Sequence, residues 1–508
     1  MQLITPMDRY NQELVENLHP PSWKNPQPQD CYNLVVIGGG TAGLVTAAGA
    51  GMFGAKVALI EKHLLGGDCT NVGCVPSKAI IRSSRIAAAV KNAPHYGIQV
   101  PHDTQVDFAA VMERMRRLRA AISHHDSAER FRQEYGVDVF LGQASFSGNR
   151  TIEVEGQVLK FKKAVIATGS APNIPPIPGL AETGYLTNET VFSLTKLPPR
   201  LAVIGGGYIG CELAQVFQRL GAQVALLQRG GHLLKGSDPE AAEQIQGVLR
   251  QEGVDLFLNA EAQRVTLQDQ EKIVHYESPS MGVTLSVDEI LVATGRQPHV
   301  QGLNLEAVGV EFDHKKGVII NDYLQTTNPN IYAVGDVCMN WKFTHAADAA
   351  ARIVVQNALF SIWGIGRKKL SSLIMPSCTY TDPEVAQVGI TEEEIQQEPE
   401  KVKTFYFSLD QVDRAIVDGD TVGFFKVHIQ RGTNRILGAT IVAPHAGEMI
   451  SQITLAMVGN VGLDQIANTI YPYPTQSEGI RKIADQYNLR WVQPWVKNLT
   501  KSWFNMIS

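Results

Sequence analysis

The sequence predicts an α/β protein with two Rossmann-like, three-layer dinucleotide-binding domains and a C-terminal α+β region. Three observations predict it. A strand, a G-x-G-x-x-G turn, a small-residue helix and a second strand fill Leu34 to Glu61, and the same unit recurs from Leu201 to Gln228. Two apolar strands end in Ala-Thr-Gly, in the stretches Ala164 to Ser170 and Glu289 to Arg296. From Met375 the composition changes. Strand patterns at 402–407, 424–429 and 436–442 are joined there by helical patterns at 445–458 and 477–486.

Length and charge bound the possibilities. A chain of 508 residues has room for three or four domains, and its net charge of −5 gives no sign of a nucleic-acid partner. Six cysteines in that length do not make a secreted disulfide scaffold. The first 30 residues lack a basic stretch followed by an apolar one, so they read as an arm and not as a signal peptide. The uncharged run 34–55 has the length of a membrane span. Its repeated glycines and its strand–turn–helix order make it a nucleotide site instead.

At the first turn, Gly38 allows the tight bend, Gly40 lets a pyrophosphate approach the backbone, and Gly43 lets helix and strand pack closely. Glu61 follows Gly43 by 18 residues, where a carboxylate can hydrogen-bond a ribose diol.

The next stretch, Gly66 to Lys78, holds Cys69 and Cys74, five positions apart, with Pro76 just beyond. Proline suits a first helical turn, so Cys74 falls at a helix N-terminus, where the macrodipole favours a thiolate. A redox-active pair is the preferred reading. A zinc site would need four ligands, and no second C-x-x-C or H-x-x-H is present. A static disulfide fits poorly with such sparse cysteine usage. Farther on, 108–135 reads as one long charged helical stretch with exposed His124 and His125. The four prolines of 171–179 mark a domain boundary.

The second turn uses Gly205, Gly207 and Gly210. Eighteen residues after Gly210 stands Gln228, followed by Arg229. A carboxylate would repel a ribose 2′-phosphate, whereas a neutral Gln beside Arg229, with Lys235 nearby, accepts one. The second site is therefore expected to prefer NADPH, with NADH as the alternative. The bland alternative for Arg229 is a solvated surface charge.

Together with Ile331-Tyr-Ala-Val-Gly-Asp336, these ordered motifs resemble the FAD-dependent, class I pyridine nucleotide–disulfide oxidoreductases over residues 31–485. The resemblance implies a homodimer and five segments: an arm (1–30), an FAD domain (31–180, completed by 297–370), an NAD(P)H domain (181–296), a dimerisation domain (371–485) and a tail (486–508). It implies that Cys69 is the thiol that meets substrate and that Cys74 faces the flavin as a thiolate. Lys78 pairs with Glu212 beside the flavin. FAD contacts are expected from Gly38, Gly40, Gly43, Glu61, Lys62, Gly67, Asp68, Thr70, Ala167, Thr168, Gly169, Gly335 and Asp336. Thr344, His345 and Ala346 open the helix beside the ring, and Thr344 also suits a helix N-cap. The nicotinamide nucleotide is expected on Gly205, Gly207, Gly210, Gln228, Arg229, Ala293, Thr294 and Gly295.

One departure carries information. Disulfide-reducing members end in His-Pro-Thr-x-Ser-Glu, and each dimer partner supplies this segment to the other's site. Here the run is Tyr473-Pro-Thr-Gln-Ser-Glu478. A phenol is a poor base near neutral pH but donates a hydrogen bond; the bland reading of Tyr473 is an aromatic interface residue. A tyrosine at this place resembles the mercuric reductase-like branch, with Cys69 and Cys74 as transient ligands of the metal substrate. That branch also carries a C-terminal Cys-Cys and an N-terminal Cys-x-x-Cys domain, and this chain has no cysteine after Cys378. Because paired thiolates suit soft cations and the disulfide-reducing histidine is absent, the expected acceptor is still Hg(II) or a related soft metal. The alternatives are a disulfide, or a low-turnover flavin sensor that binds a partner. The expected location is cytoplasmic. The tail, 488–508, alternates Trp491, Trp495, Trp503 and Phe504 with Arg490, Lys497 and Lys501 and has no acid. It reads as a contact to protein or to an anionic membrane, and Pro494 confines any helix to the residues after it.

Overall fold

The computed structural model describes residues 4–278, 281–361, 364–489 and 494–507. They fall into two compact units, Met1–Arg229 with Gly253–Leu373, and Gly230–Glu252 with Ile374–Ser508.

The first unit is built on a seven-stranded sheet. Its centre is Tyr32–Ile37, with Val57–Glu61 and then Val137–Leu141 parallel on one side. Gln157–Ile166 and then Ile331–Ala333 lie parallel on the other. Leu34, Val35, Val36 and Ile37 are all buried, which is why this strand reads as a continuous apolar run and not as an alternation. The early half of Gln157–Ile166 turns antiparallel to Thr151–Val154, which pairs with Ala144–Gly148.

The second glycine turn heads a parallel sheet of its own. Its order is Asp255–Leu258, Gln223–Gln228, Arg200–Ile204, Glu289–Val292. A three-stranded meander accompanies it. The proline-rich stretch begins as Ser170–Pro172, which pairs antiparallel with Arg296–Pro298. Both Ala-Thr-Gly segments thus run directly into one two-stranded link.

The arm contains structure that its polar composition hides. Arg9–Leu18 is a helix capped by Asp8, which accepts from the Asn11 amide at 2.9 Å. It buries Asn11, Leu14 and Leu18. Arg116 donates to Asp8 at 2.6 Å, and Arg119 donates to Asn11 Oδ1 at 2.7 Å. The stretch 108–135 is two helices and not one. Phe108–Ser123 ends in a 3-10 turn, His124–Asp126, and Ala128–Tyr135 restarts at Ser127, whose hydroxyl accepts from the Arg130 amide. His124 and His125 are exposed, as expected.

The C-terminal unit carries a five-stranded antiparallel sheet. Its order is Pro376–Thr379, Glu384–Gly389, Ile436–Ala443, Phe424–Gln430, Val402–Ser408. Ala446–Val458 and Glu478–Asn488 share its core through Ile450, Ile453, Ile480 and Ile483. Within this unit Lys426 Nζ lies 2.8 Å from Asp238, 2.9 Å from Glu240 and 3.7 Å from Glu392. Its ammonium supplies the cation that the nearby Asp238–Glu392–His428 group would otherwise recruit. Among the described residues no helix is long and apolar enough to cross a membrane. The run 34–55 is a strand followed by the helix Thr41–Met52.

The glycine turn depends on the missing Cβ at Gly43, which would meet the Gly38 carbonyl oxygen at 1.8 Å. Gly43→Ala is expected to cost about 1–3 kcal/mol and to lower bound flavin, read from the denaturation midpoint and the flavin absorbance per chain. Gly49→Ala, on the same helix, meets only Val355 Cγ2 at 3.5 Å. It is expected to leave both readings unchanged or to raise the midpoint slightly.

Candidate active site

Three glycines shape the redox segment. Gly66 and Gly67 adopt positive φ (86° and 57°) and start the short helix Gly67–Val72. Gly73 breaks it, and Cys74–Asn92 begins on a new axis. A Cβ on Gly73 would lie 2.7 Å from the Asp68 carbonyl oxygen, so the break needs a glycine. Cys74 is the first residue of the longer helix, as expected, and Cys69 sits on the shorter one. The short helix itself was not apparent from the sequence.

Both cysteines are free thiols, hydrogen-bonded to each other. Cys74 Sγ also lies 3.3 Å from the Thr344 hydroxyl. The bond from Cys69, then Thr344 and the charge of Lys78, outweigh burial and pull the Cys74 thiol down to about 6. The same partnership and burial push Cys69 up. In its reduced form this pair favours a thiolate at Cys74 beside a protonated Cys69 at neutral pH. Lys78 Nζ donates to Glu212 Oε2 at 2.8 Å, the expected pairing, and Glu212 is buried on the helix Tyr208–Arg219.

The residues that hold the segment in place were not apparent from the sequence. Asn71, between the cysteines, donates to the carbonyls of Leu65 and Gly67, each at 2.9 Å. Its own carbonyl accepts from Arg119 Nη1 at 2.6 Å. The Thr70 hydroxyl donates to Asp126 Oδ2 at 2.6 Å. Arg119 and Asp126 lie about 50 residues away in sequence, with nothing local to link them to the cysteines.

A cavity of about 720 Å³ runs from the first glycine turn to this pair. Of the expected FAD contacts, Gly38, Gly40, Glu61, Lys62, Gly67, Asp68, Ala167, Thr168, Gly169, Gly335, Asp336 and Thr344 line it, with Cys69, Cys74, Lys78 and Glu212. Four expected residues do not. Thr70 is buried on Asp126. Gly43 packs under the turn. His345 is exposed and stacks on Phe343, and Ala346 is fully buried, so Ala347 takes the wall position. Nor is Thr344 an N-cap: Phe343 holds that place, and Thr344 turns its hydroxyl to Cys74. Arg296 is an addition. Its guanidinium bonds Asp68 and lies 3.4 Å from Asp336, so it ties together both ends of the FAD motif set.

The cavity fits an FAD. The helix Thr41–Met52 starts at Gly40 with no side-chain cap, which leaves its first amides for a pyrophosphate. The helix Tyr208–Arg219 starts in the same way at Gly207. Glu61 accepts from the Gly39 amide at 2.6 Å and from the His63 amide at 2.7 Å. Gln228 accepts from the Gly206 amide at 2.9 Å. Arg229 is exposed, 3.6 Å from Glu261. In the C-terminal unit, the Tyr473 hydroxyl donates to Asp413 Oδ2 at 3.0 Å, which holds the phenol above its ordinary value. Glu478 is buried, 3.6 Å from Lys482.

Two glycine-turn nucleotide folds and a thiolate–thiol pair on the cavity wall define a dinucleotide-dependent thiol oxidoreductase. The chain belongs to the pyridine nucleotide-disulphide oxidoreductase family, whose model matches residues 32–351, and the family's dimerisation domain matches 375–484. Membership implies FAD and a pyridine nucleotide as cofactors, and the dimerisation domain supports a homodimer. The chain is 38% identical to a mercuric reductase of Staphylococcus aureus, over 89% of this chain and 82% of that one. It is 34% identical to a mercuric reductase of Streptomyces lividans, over 90% and 96%. Among solved structures it resembles the Cu(II) complex of the HOCl-induced flavoprotein disulfide reductase RclA from Escherichia coli. That match has a TM-score of 0.80 and 28% identity, over 90% of this chain and 100% of the other.

A thiol at about 6 makes a measurable prediction. The thiolate ultraviolet absorbance of the reduced protein, less that of Cys74→Ser, should rise through a midpoint near 6. Below that pH Cys74 is protonated and above it charged. Thr344→Val removes a donor to the thiolate and should move the midpoint up by about one pH unit.

Proposed function

We propose that this chain is an NADPH-dependent flavoprotein whose Cys69–Cys74 dithiol delivers two electrons to a soft metal ion, Hg(II) foremost. The observation that carries the reading is the thiolate-primed pair together with a tyrosine where disulfide-reducing members place a histidine. The named mercuric reductases among its relatives support it. The Cu(II) complex of the structural neighbour supports a transition-metal cation as acceptor.

Gly38, Gly40, Glu61, Lys62, Thr168, Gly335 and Asp336 would hold FAD. Gly205, Gly207, Gly210, Gln228, Arg229 and the Ala293-Thr294-Gly295 turn would hold the nicotinamide nucleotide. A bound flavin supplies the exchange between nicotinamide hydride chemistry and thiol chemistry. The protein residues do the rest. Lys78 and the helix N-terminus keep Cys74 charged, and Thr344 orients it. Cys69, the protonated partner, meets the acceptor. Closing the dithiol to a disulfide releases two electrons, one proton from Cys69 and none from the Cys74 thiolate. Reduction of Hg(II) to the metal consumes the two electrons. Paired sulfur ligands suit a soft cation, and no leaving thiol then needs a proton. Tyr473, supplied across the dimer, would present a phenol whose proton Asp413 holds, in place of an acid/base histidine.

The second reading is a disulfide reductase, favoured by the structural neighbour that bears that name. Steady-state NADPH oxidation with Hg(II) or with a panel of disulfides separates the two. Stimulation by Hg(II) alone is the expected outcome, with Cys69→Ser losing about hundredfold or more. Turnover with a disulfide and none with Hg(II) would reverse the assignment. For the nucleotide, Arg229→Glu should cut kcat/KM for NADPH by roughly tenfold or more and spare NADH. An unchanged NADPH value would return Arg229 to an ordinary surface charge.

A further inference from the structure

The helix Pro494–Ile507 has no buried residue. Along it, Trp495, Leu499, Trp503, Met506 and Ile507 fall within an arc of roughly 120° at helical spacing. Each is more than half exposed, and nothing in the C-terminal unit covers that arc among the described residues. The opposite arc carries Lys497, Asn498, Lys501 and Asn505, with the exposed Phe504 at its edge. Trp491 and Arg490, also expected to contribute, lie outside the described residues.

We infer that this helix lies in the surface of an anionic lipid bilayer and holds the enzyme there. Charge complementarity selects this occupant. The protein carries a net −5, yet residues 488–508 include three basic side chains and no acidic one. A polar face whose only charges are lysines, with Phe504 at its edge, set opposite two tryptophans, leucine, methionine and isoleucine matches the pattern of interfacial helices. The indole rings suit the headgroup level, where one edge is wet and the other apolar. At 1.5 Å per residue the helix is about 21 Å long, short of the roughly 30 Å hydrocarbon core, so it lies on the membrane and does not span it.

The test is cosedimentation of the full-length FAD-loaded enzyme with vesicles of phosphatidylcholine alone, or mixed with phosphatidylglycerol. The mixed vesicles should bind it, and binding should fall as salt rises. Leu499→Glu and Trp503→Glu should each lose about tenfold or more. Lys497→Glu and Lys501→Glu should each lose roughly fivefold or more on the anionic vesicles. NADPH oxidation by these variants should match wild type, which shows that the rest of the chain is intact. Absence of binding to the mixed vesicles overturns the inference. So does equal binding to neutral vesicles. A Leu499→Glu variant whose sedimentation mass falls from dimer to monomer would also overturn it, because the face would then belong to the second copy of the chain.

Discussion

The redox site depends on one ion pair. Glu212 is almost wholly removed from water, and a buried carboxylate without a cation costs several kcal/mol. Lys78 supplies that cation at 2.8 Å. Lys78 and Cys74 stand four residues apart on one helix, so their side chains share a face. Fixing Lys78 on Glu212 therefore fixes the rotation of the helix and points Cys74 along the same wall. Glu212 in turn lies two residues past Gly210, on the helix that the second glycine turn launches. The pair couples both nucleotide folds to the thiolate, and its cation also stabilises that thiolate.

Much of this was legible in the sequence because backbone constraints leave residue-level marks. A turn that passes within 2 Å of a would-be Cβ demands glycine, and the strands flanking it must be apolar on both faces. The Cys69 and Cys74 positions, both glycine turns, the two Ala-Thr-Gly strands and the Lys78–Glu212 pairing all follow from such marks or from the resemblance that they support. The supports of the site are different. Arg119 reaches Asn71, and Asp126 reaches Thr70, from a helix and a turn that touch the redox segment only in three dimensions. The N-terminal helix was hidden for a related reason. It buries only Leu14, Leu18 and a hydrogen-bonded Asn11, too little apolar periodicity to stand out from a polar arm. The strands Pro376–Thr379 and Glu384–Gly389 were missed because they are short and gain their status from pairing, the first with the second and the second with Ile436–Ala443.

Tyr473 differs in chemistry from the histidine that disulfide-reducing members carry in this segment. A histidine there could accept and return a proton near neutral pH. The phenol donates to Asp413, and that carboxylate raises the barrier to losing its proton. Tyr473 is thereby fixed as a donor. Such a phenol is poorly suited to exchanging a proton with a leaving thiolate, whereas reduction of a metal ion calls for no such exchange.

The two glycine turns sharpen the same kind of argument. In each, the amide of the middle glycine is held by the side chain at the end of the next strand: Gly39 by Glu61 at 2.6 Å, Gly206 by Gln228 at 2.9 Å. The structural task is shared, and a carboxylate or a carboxamide oxygen performs it. The turn therefore does not dictate which of the two stands there. What differs is the group presented to whatever lies beyond the turn. Glu61 brings a carboxyl, which burial pushes above its ordinary value against the Gly39 and His63 amides, and which suits a ribose diol. Gln228 brings none and is followed by a guanidinium. Because the backbone requirement is met equally at both places, the residue at this position is free to follow the ligand.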